Sequence, residues 1–264
     1  MAKQAPRTHA TIRRNRSANR FDGATPGESV MHAHEGGQFI LVETGISHVR
    51  TDFGAWIIPT RRVGWIPPGV RHASRSSGRG RGWVVIAPVE IVGNLPRQVR
   101  VLRASALMMA SLERLTRLAS HEARLRRLLW KVIVAEMREA ESEQLEVPMP
   151  NAPRMLKAAQ SILRHPSMTA DVDSLAVRAG MSRRSFTRHF RNETGLSFTR
   201  WKRAVIAHHA LEHIAAGHKV SSVAFDVGYE SVSAFIAMFR RQYGASPRRF
   251  LSEHSEEYLN KAEA

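Results

Sequence analysis

Cysteine is absent from the 264 residues. Neither disulfide bonds nor thiolate metal sites can therefore form, which fits a reducing cytoplasm. No uninterrupted apolar run is long enough to cross a bilayer, and the opening "MAKQAPRTHATIRRNRSANR" lacks the apolar core of a secretory signal. Acidic side chains are scarce, 23 against 40 lysines and arginines, for a formal charge of +17 and a pI near 11.4. An excess of that size favours an anionic partner, nucleic acid or a membrane surface, although an arginine-rich genome accounts for part of it. The length suits one or two domains.

What is present is organised in blocks. Residues 1–22 form a basic arm, with Lys3, Arg7, Arg13, Arg14, Arg16 and Arg20 and no acid before position 21, and are expected to be disordered. Residues 23–95 hold short β-rich runs, "QFILVET", "AWIIP", "RRVGWIP" and "GWVVIAP", broken by turn residues, and read as a small antiparallel barrel or sandwich. Residues 96–140 turn helical. Leu125, Leu128, Leu129, Val132, Ile133 and Met137 make one apolar stripe, and Leu112, Leu115 and Leu118 continue another in the segment before it. Two readings stand for these stripes: packing on the barrel, or closing a homodimer. Residues 141–153, acidic and then proline-punctuated, read as a linker. Residues 154–252 are helical, and 253–264 form a tail.

The helical part repeats itself. In "LAVRAGMSRRSFTRHFR" and "VAFDVGYESVSAFIAMFRR", Ala176 and Gly180 match Ala224 and Gly228 in step. Ser182, Phe186, Phe190 and Arg191 match Ser231, Phe235, Phe239 and Arg240 one residue out of step, so the second turn is one residue longer. Each copy reads as helix, glycine turn, serine cap and helix, spanning 173–194 and 221–244. In the first copy Phe186 and Phe190, one turn apart, anchor the second helix to a core. Arg183, Arg184, Thr187, Arg188 and Arg191 then face outward, a repulsive surface unless a polyanion covers it. Arginine can form paired hydrogen bonds to guanine O6 and N7 in a major groove. Arg184, Thr187 and Arg188 are placed to read bases, and Arg183 and Arg191 to hold phosphate.

The second copy carries Ser233, Ile236 and Ala237 at the base-reading positions, chemistry limited largely to contact with a thymine methyl, with Arg240, Arg241, Arg248 and Arg249 for phosphate. Between the copies, "SFTRWKRAVIAHHALEHIAAG" reads as a rod of about 28 Å at ~1.5 Å per residue. Adjacent major-groove faces recur every ~34 Å, so one chain could enter two grooves, the first copy dominating sequence choice.

Residues 154–250 resemble the DNA-binding domain of the AraC/XylS transcription regulators, most specifically through "GYESVSAFIAMFRRQYGASPRRF", Gly228 to Phe250. The resemblance implies seven helices, two helix-turn-helix motifs, and promoter binding with Arg184, Thr187 and Arg188 at base-contacting positions. Ile236 and Ala237 depart from family members that carry polar or basic readers there.

In "MHAHEGGQF" two histidines are one residue apart, so that on a strand His32 and His34 would share a face. With His72 and the Gln38 oxygen they offer a donor set suited to a divalent first-row metal. A polar pocket for an organic effector is the equal alternative. The front domain resembles a cupin. His32-x-His34-x3-Gln38-x6-Gly45 matches the first cupin motif and Pro67-x-Gly69-x2-His72 the second. Gln38 stands where metal-binding cupins usually carry glutamate.

The expected fold is therefore α+β and multidomain: an N-terminal cupin β-barrel with a helical hairpin, and a C-terminal all-α double helix-turn-helix domain. The expected function is a cytoplasmic regulator, not an enzyme, that binds double-stranded promoter DNA and senses a small molecule or metal, with RNA polymerase as a further partner if it activates. The alternatives are a metal-dependent cupin enzyme with an appended DNA-binding domain, for which Glu35 and Glu43 are unexceptional acid–base candidates, and a non-specific nucleic-acid binder.

Overall fold

The computed structural model describes residues 18–22, 29–93, 95–143, 145–167 and 171–252. Its N-terminal half is an antiparallel sheet built around one long strand, β2 (Gly37–Thr51). Along nearly all its length β2 pairs with β5 (His72–Ala87). On its other edge it pairs first with β4 (Arg62–Ile66) and then with β3 (Gly54–Pro59), changing partner at a register irregularity around Thr44, beside Gly45 at φ 73°. Strand alternation sends Phe39 and Leu41 to one face and Ile40 and Val42 to the other. Both faces are buried: the first set belongs to a core with Val63, Trp65 and Val85, the second to a core with Ile46, Ile57 and Ile66.

Three expectations change here. Ala18–Asp22, assigned to the disordered arm, forms β1 against Trp83 and its neighbours on β5, and the rest of the arm lies outside the described residues. Arg100–Arg103, assigned to the helical block, is a strand, β6, on β4. Val101 and Leu102 are both buried there, one on each face, as a two-residue period dictates. The presumed linker is woven into the same sheet: β7 (Ser142–Glu143) lies on β6 and β8 (Glu146–Pro148) on β3, with Leu145, Val147 and Met149 buried. Proline punctuation here marks the ends of edge strands, where a missing N–H costs little.

Between β5 and the linker lie a short helix α1 (Val89–Val92), then α2 (Ala106–Thr116) and α3 (Ala123–Glu139). The two longer helices pack on the sheet, with Met108, Leu112, Leu115, Trp130, Ile133 and Met137 joining the Phe39–Trp65 core. The stripe on α3 is rotated from the one expected. Trp130, Ile133 and Met137 define the buried line, while Leu125 and Leu128 are 37% and 50% exposed. The sequence offers two overlapping leucine lines, and the large indole selects which one faces the sheet.

Among the described residues seven helices follow: α4 (Pro153–Arg164), α5 (Val172–Ala179), α6 (Arg183–Thr194), α7 (Phe198–Ala215), α8 (Val220–Asp226), α9 (Val232–Tyr243) and α10 (Pro247–Ser252). α7 is buried along its length, placing Trp201 and Val205 in the core of α4–α6 and Ile206, Ala210 and Leu211 in the core shared by α8–α10 and the sheet. None of the described helices is long and apolar enough to cross a membrane.

Candidate nucleic-acid interface and histidine pocket

The first helix pair is assembled by local chemistry. Asp171 caps α5 by accepting from the Ser174 amide at 3.2 Å, and Gly180 closes it at φ 68°. Ser182 opens α6 by accepting from the Ser185 amide at 3.2 Å. At the positive φ of Gly180 any L side chain would be strained. Phe186 and Phe190 are fully buried against Phe198 and Trp201, with ring centroids 5.2–6.0 Å apart. That anchorage fixes the rotation of α6 and leaves Arg183, Arg184, Arg188 and Arg191 exposed and Thr187 half-buried.

Two features qualify the bare arginine surface. Arg183 is paired with Asp173 of α5 at 2.8 Å, so one of its four charges is partly neutralised. The Thr187 hydroxyl donates to backbone carbonyls of Arg183 and Arg184 at 2.9 and 3.2 Å, leaving it an acceptor toward solvent. Local sequence missed Asp173 because the pair spans the turn. It also missed Glu193, whose carboxylate accepts from the Asn151 and Ala152 amides at 2.7 and 2.9 Å and so caps α4 from the end of α6.

In the second pair Gly228 turns at φ 84° and Ser231 caps α9, accepting from the Ala234 amide at 3.2 Å. Ser233 and Ala237 are exposed, whereas Ile236 is half-buried against the core of α7–α10. Arg240, Arg241, Arg248 and Arg249 are exposed.

The histidines converge although they do not share a regular strand. His32 forms an isolated bridge with His72, His34 follows in a loop, and Gln38 lies at the start of β2. One potential ligand nitrogen from each of the three imidazoles lies within 4.8 Å of the others. His32 Nδ1 donates to the Val30 carbonyl at 2.7 Å and His72 Nδ1 to the Val70 carbonyl at 2.8 Å. Those bonds set the tautomer and leave each Nε2 with a lone pair aimed inward, the arrangement usual around a ligated metal. Inward, His72 Nε2 lies 3.2 Å from the Gln38 side-chain amide, and His32 Nε2 lies 3.1 Å from His34 Nε2, which can donate to it as the Nε2–H tautomer. Burial pushes His72 down to about 4 and lowers His34, so both are neutral near pH 7 and able to ligate. Of the two acid–base candidates, Glu35 is exposed, and Glu43 is engaged by the Trp83 indole at 2.7 Å and by Arg20 at 3.6 Å.

Comparison with known proteins bears on the helices. Residues 175–253 match the helix-turn-helix domain family. The HTH-type transcriptional regulator NimR of Escherichia coli K12 is 28% identical, covering 85% of this chain and 82% of its own length. The HTH-type transcriptional regulator RipA of Corynebacterium glutamicum is 35% identical over 39% of this chain and 31% of its own. Among solved structures, the DNA-binding domain of AdpA in complex with a target DNA is 33% identical, covers 37% of this chain and 89% of that one, and superposes with a TM-score of 0.35. Residues 175–253 are thus similar to a helix-turn-helix domain, and most of the chain is similar to an HTH-type transcriptional regulator.

Proposed function

We propose that the chain reads promoter DNA by seating α6 and α9 in adjacent major grooves, held apart by α7, and that α6 supplies most of the base discrimination. The observation that carries this reading is the asymmetry of the two second helices. α6 turns Arg184 and Arg188 outward, with Phe186 and Phe190 sunk beneath them, whereas α9 offers Ser233, a half-buried Ile236 and Ala237. Arginine pairs with guanine edges and the α9 set cannot, so bases under α6 are specified and those under α9 weakly so. Arg183, Arg191, Arg240, Arg241, Arg248 and Arg249 hold phosphate. α7, with 18 residues, spans about 27 Å at ~1.5 Å per residue, the order of the ~34 Å groove repeat. Selection from a pool of random duplexes tests this. A guanine-containing block beside a weaker one, about one helical turn away, is expected, and enrichment without any consensus would overturn the reading in favour of non-specific binding.

The sheet domain is proposed to be a cupin-like sensor. His32, His34 and His72, with Gln38, would hold a divalent first-row metal, which would supply a fixed positive charge and a cross-link between the segment before β2 and the start of β5. The convergence of three ring nitrogens within 4.8 Å of one another supports a cation there. Sensing follows if ligation favours one of two arrangements of sheet and helices, since a ligand shifts an equilibrium only through its preference for one state. Elemental analysis of protein refilled with nickel, zinc, iron or manganese tests it: stoichiometric metal lost on His32→Ala supports the site, and no retained metal leaves the pocket to an organic effector. RNA polymerase contact and a homodimer belong to the same reading.

A further inference from the structure

The sheet and the DNA-binding helices meet along one seam, and that seam is rich in bases. His48 on β2 stands directly across from Arg75 on β5, which places both side chains on the same face of the sheet. α7 crosses that face with His208, His209 and Glu212. Glu212 takes the Arg75 guanidinium in a two-pronged ion pair, with its second bond at 2.6 Å. His208 is buried and donates to the Leu145 carbonyl of the segment joining β7 and β8, while its Nε2, and that of His48, are buried without a partner. β3 adds Ile57 opposite His48, and α9 adds the buried Tyr243 hydroxyl, also without a partner. His213 and Asp226 complete the charged surroundings through His209.

We propose that this seam is an acid-operated latch. With His48 and His208 neutral, the Arg75–Glu212 pair holds α7 against the sheet, and proton uptake by the two imidazoles releases the DNA-binding helices from the sensor domain. The geometry leaves no other home for the added charge. A protonated His48 would lie beside the Arg75 guanidinium and the second imidazole, and the Glu212 carboxylate is already engaged. In the imidazolium form both ring nitrogens of His48 are donors, and its buried Nε2 has no acceptor, a state that costs far more than an exposed charge. α7 also carries the core contacts of both helix pairs, so release frees the reading helices as one body. This is independent of the histidine pocket and of any operator sequence.

The sign follows from linkage. Burial holds His208 at about 3 and His48 well below the ordinary 6.5 in the latched state. In the released state both would titrate near 6.5. The latch is therefore fully present above pH 6.5 and is lost as pH falls below it, by about tenfold per histidine per pH unit. The test is hydrogen exchange of the full-length protein, following α7 amides, corrected for intrinsic rates, between pH 7.5 and 5.5. Protection is expected to fall by about a hundredfold at the lower pH. In His48→Gln/His208→Gln, whose amides do not titrate, that fall should shrink to a few-fold. Glu212→Gln, which leaves the guanidinium unpaired beside the imidazoles, should lower protection already at pH 7.5. Unchanged wild-type protection, an equal fall in the double glutamine variant, or a Glu212→Gln profile identical to wild type would each overturn the proposal.

Discussion

Arg188→Ala isolates the chemistry assigned to α6. The side chain lies on the exposed face of that helix, one turn from Arg184, and among the described residues no carboxylate is paired with it. Its removal should leave stability within about 0.5 kcal/mol of wild type, as for surface positions without special contacts. A guanidinium bonded to guanine O6 and N7 contributes roughly 1–3 kcal/mol of discrimination, a loss of about 5- to 150-fold in affinity for the selected duplex. Arg183→Ala provides the internal contrast. Arg183 already bonds Asp173, so its loss should weaken selected and random duplexes alike and reduce the salt slope by about 1. Fluorescence anisotropy on both duplexes at several salt concentrations separates the two. If Arg188→Ala weakens both duplexes equally, or the selected one by less than twofold, the base-reading role is refuted.

Further outcomes follow from packing and from the pocket. Phe190→Ala empties a site ringed by Phe186, Phe198 and Trp201 and should cost about 3–5 kcal/mol, measured by urea unfolding; a loss under 1 kcal/mol would mean α6 is not anchored there. Gly180→Ala forces a side chain into a φ of 68° and should cost roughly 1–2 kcal/mol, while a neutral result would show that the turn relaxes. His34→Ala, at a half-buried loop position, should abolish metal retention while preserving the thermal midpoint of metal-free protein. Retention equal to wild type would remove His34 from the donor set.

How much of this was legible in the sequence varies by region for physical reasons. The helix pairs announce themselves through local devices, a glycine at the turn, a serine three residues before the amide it caps, and phenylalanines one turn apart, so their boundaries and outward faces read directly. The histidine pocket was readable as a set of donors but not as a geometry: His32 and His34 do not lie together on a strand, and their convergence depends on pairing with His72 across the sheet. Non-local partners left no trace. Arg75 and Glu212, or Asp173 and Arg183, are ordinary surface charges until the fold joins them. The segment at 141–153 looked like a linker because its strands are short and end in prolines, though Leu145, Val147 and Met149 are buried. Ile236 looked like a reader because the repeat placed it opposite Thr187, while its side chain also serves the core.

The most direct test of the central claim is a structure of the full chain on its selected duplex. The expected result has α6 lying in a major groove with Arg184, Thr187 and Arg188 at base edges, and α9 in the next groove touching mainly phosphate. A complex in which α6 faces away from the duplex, or in which α9 makes the paired hydrogen bonds to bases, would contradict it.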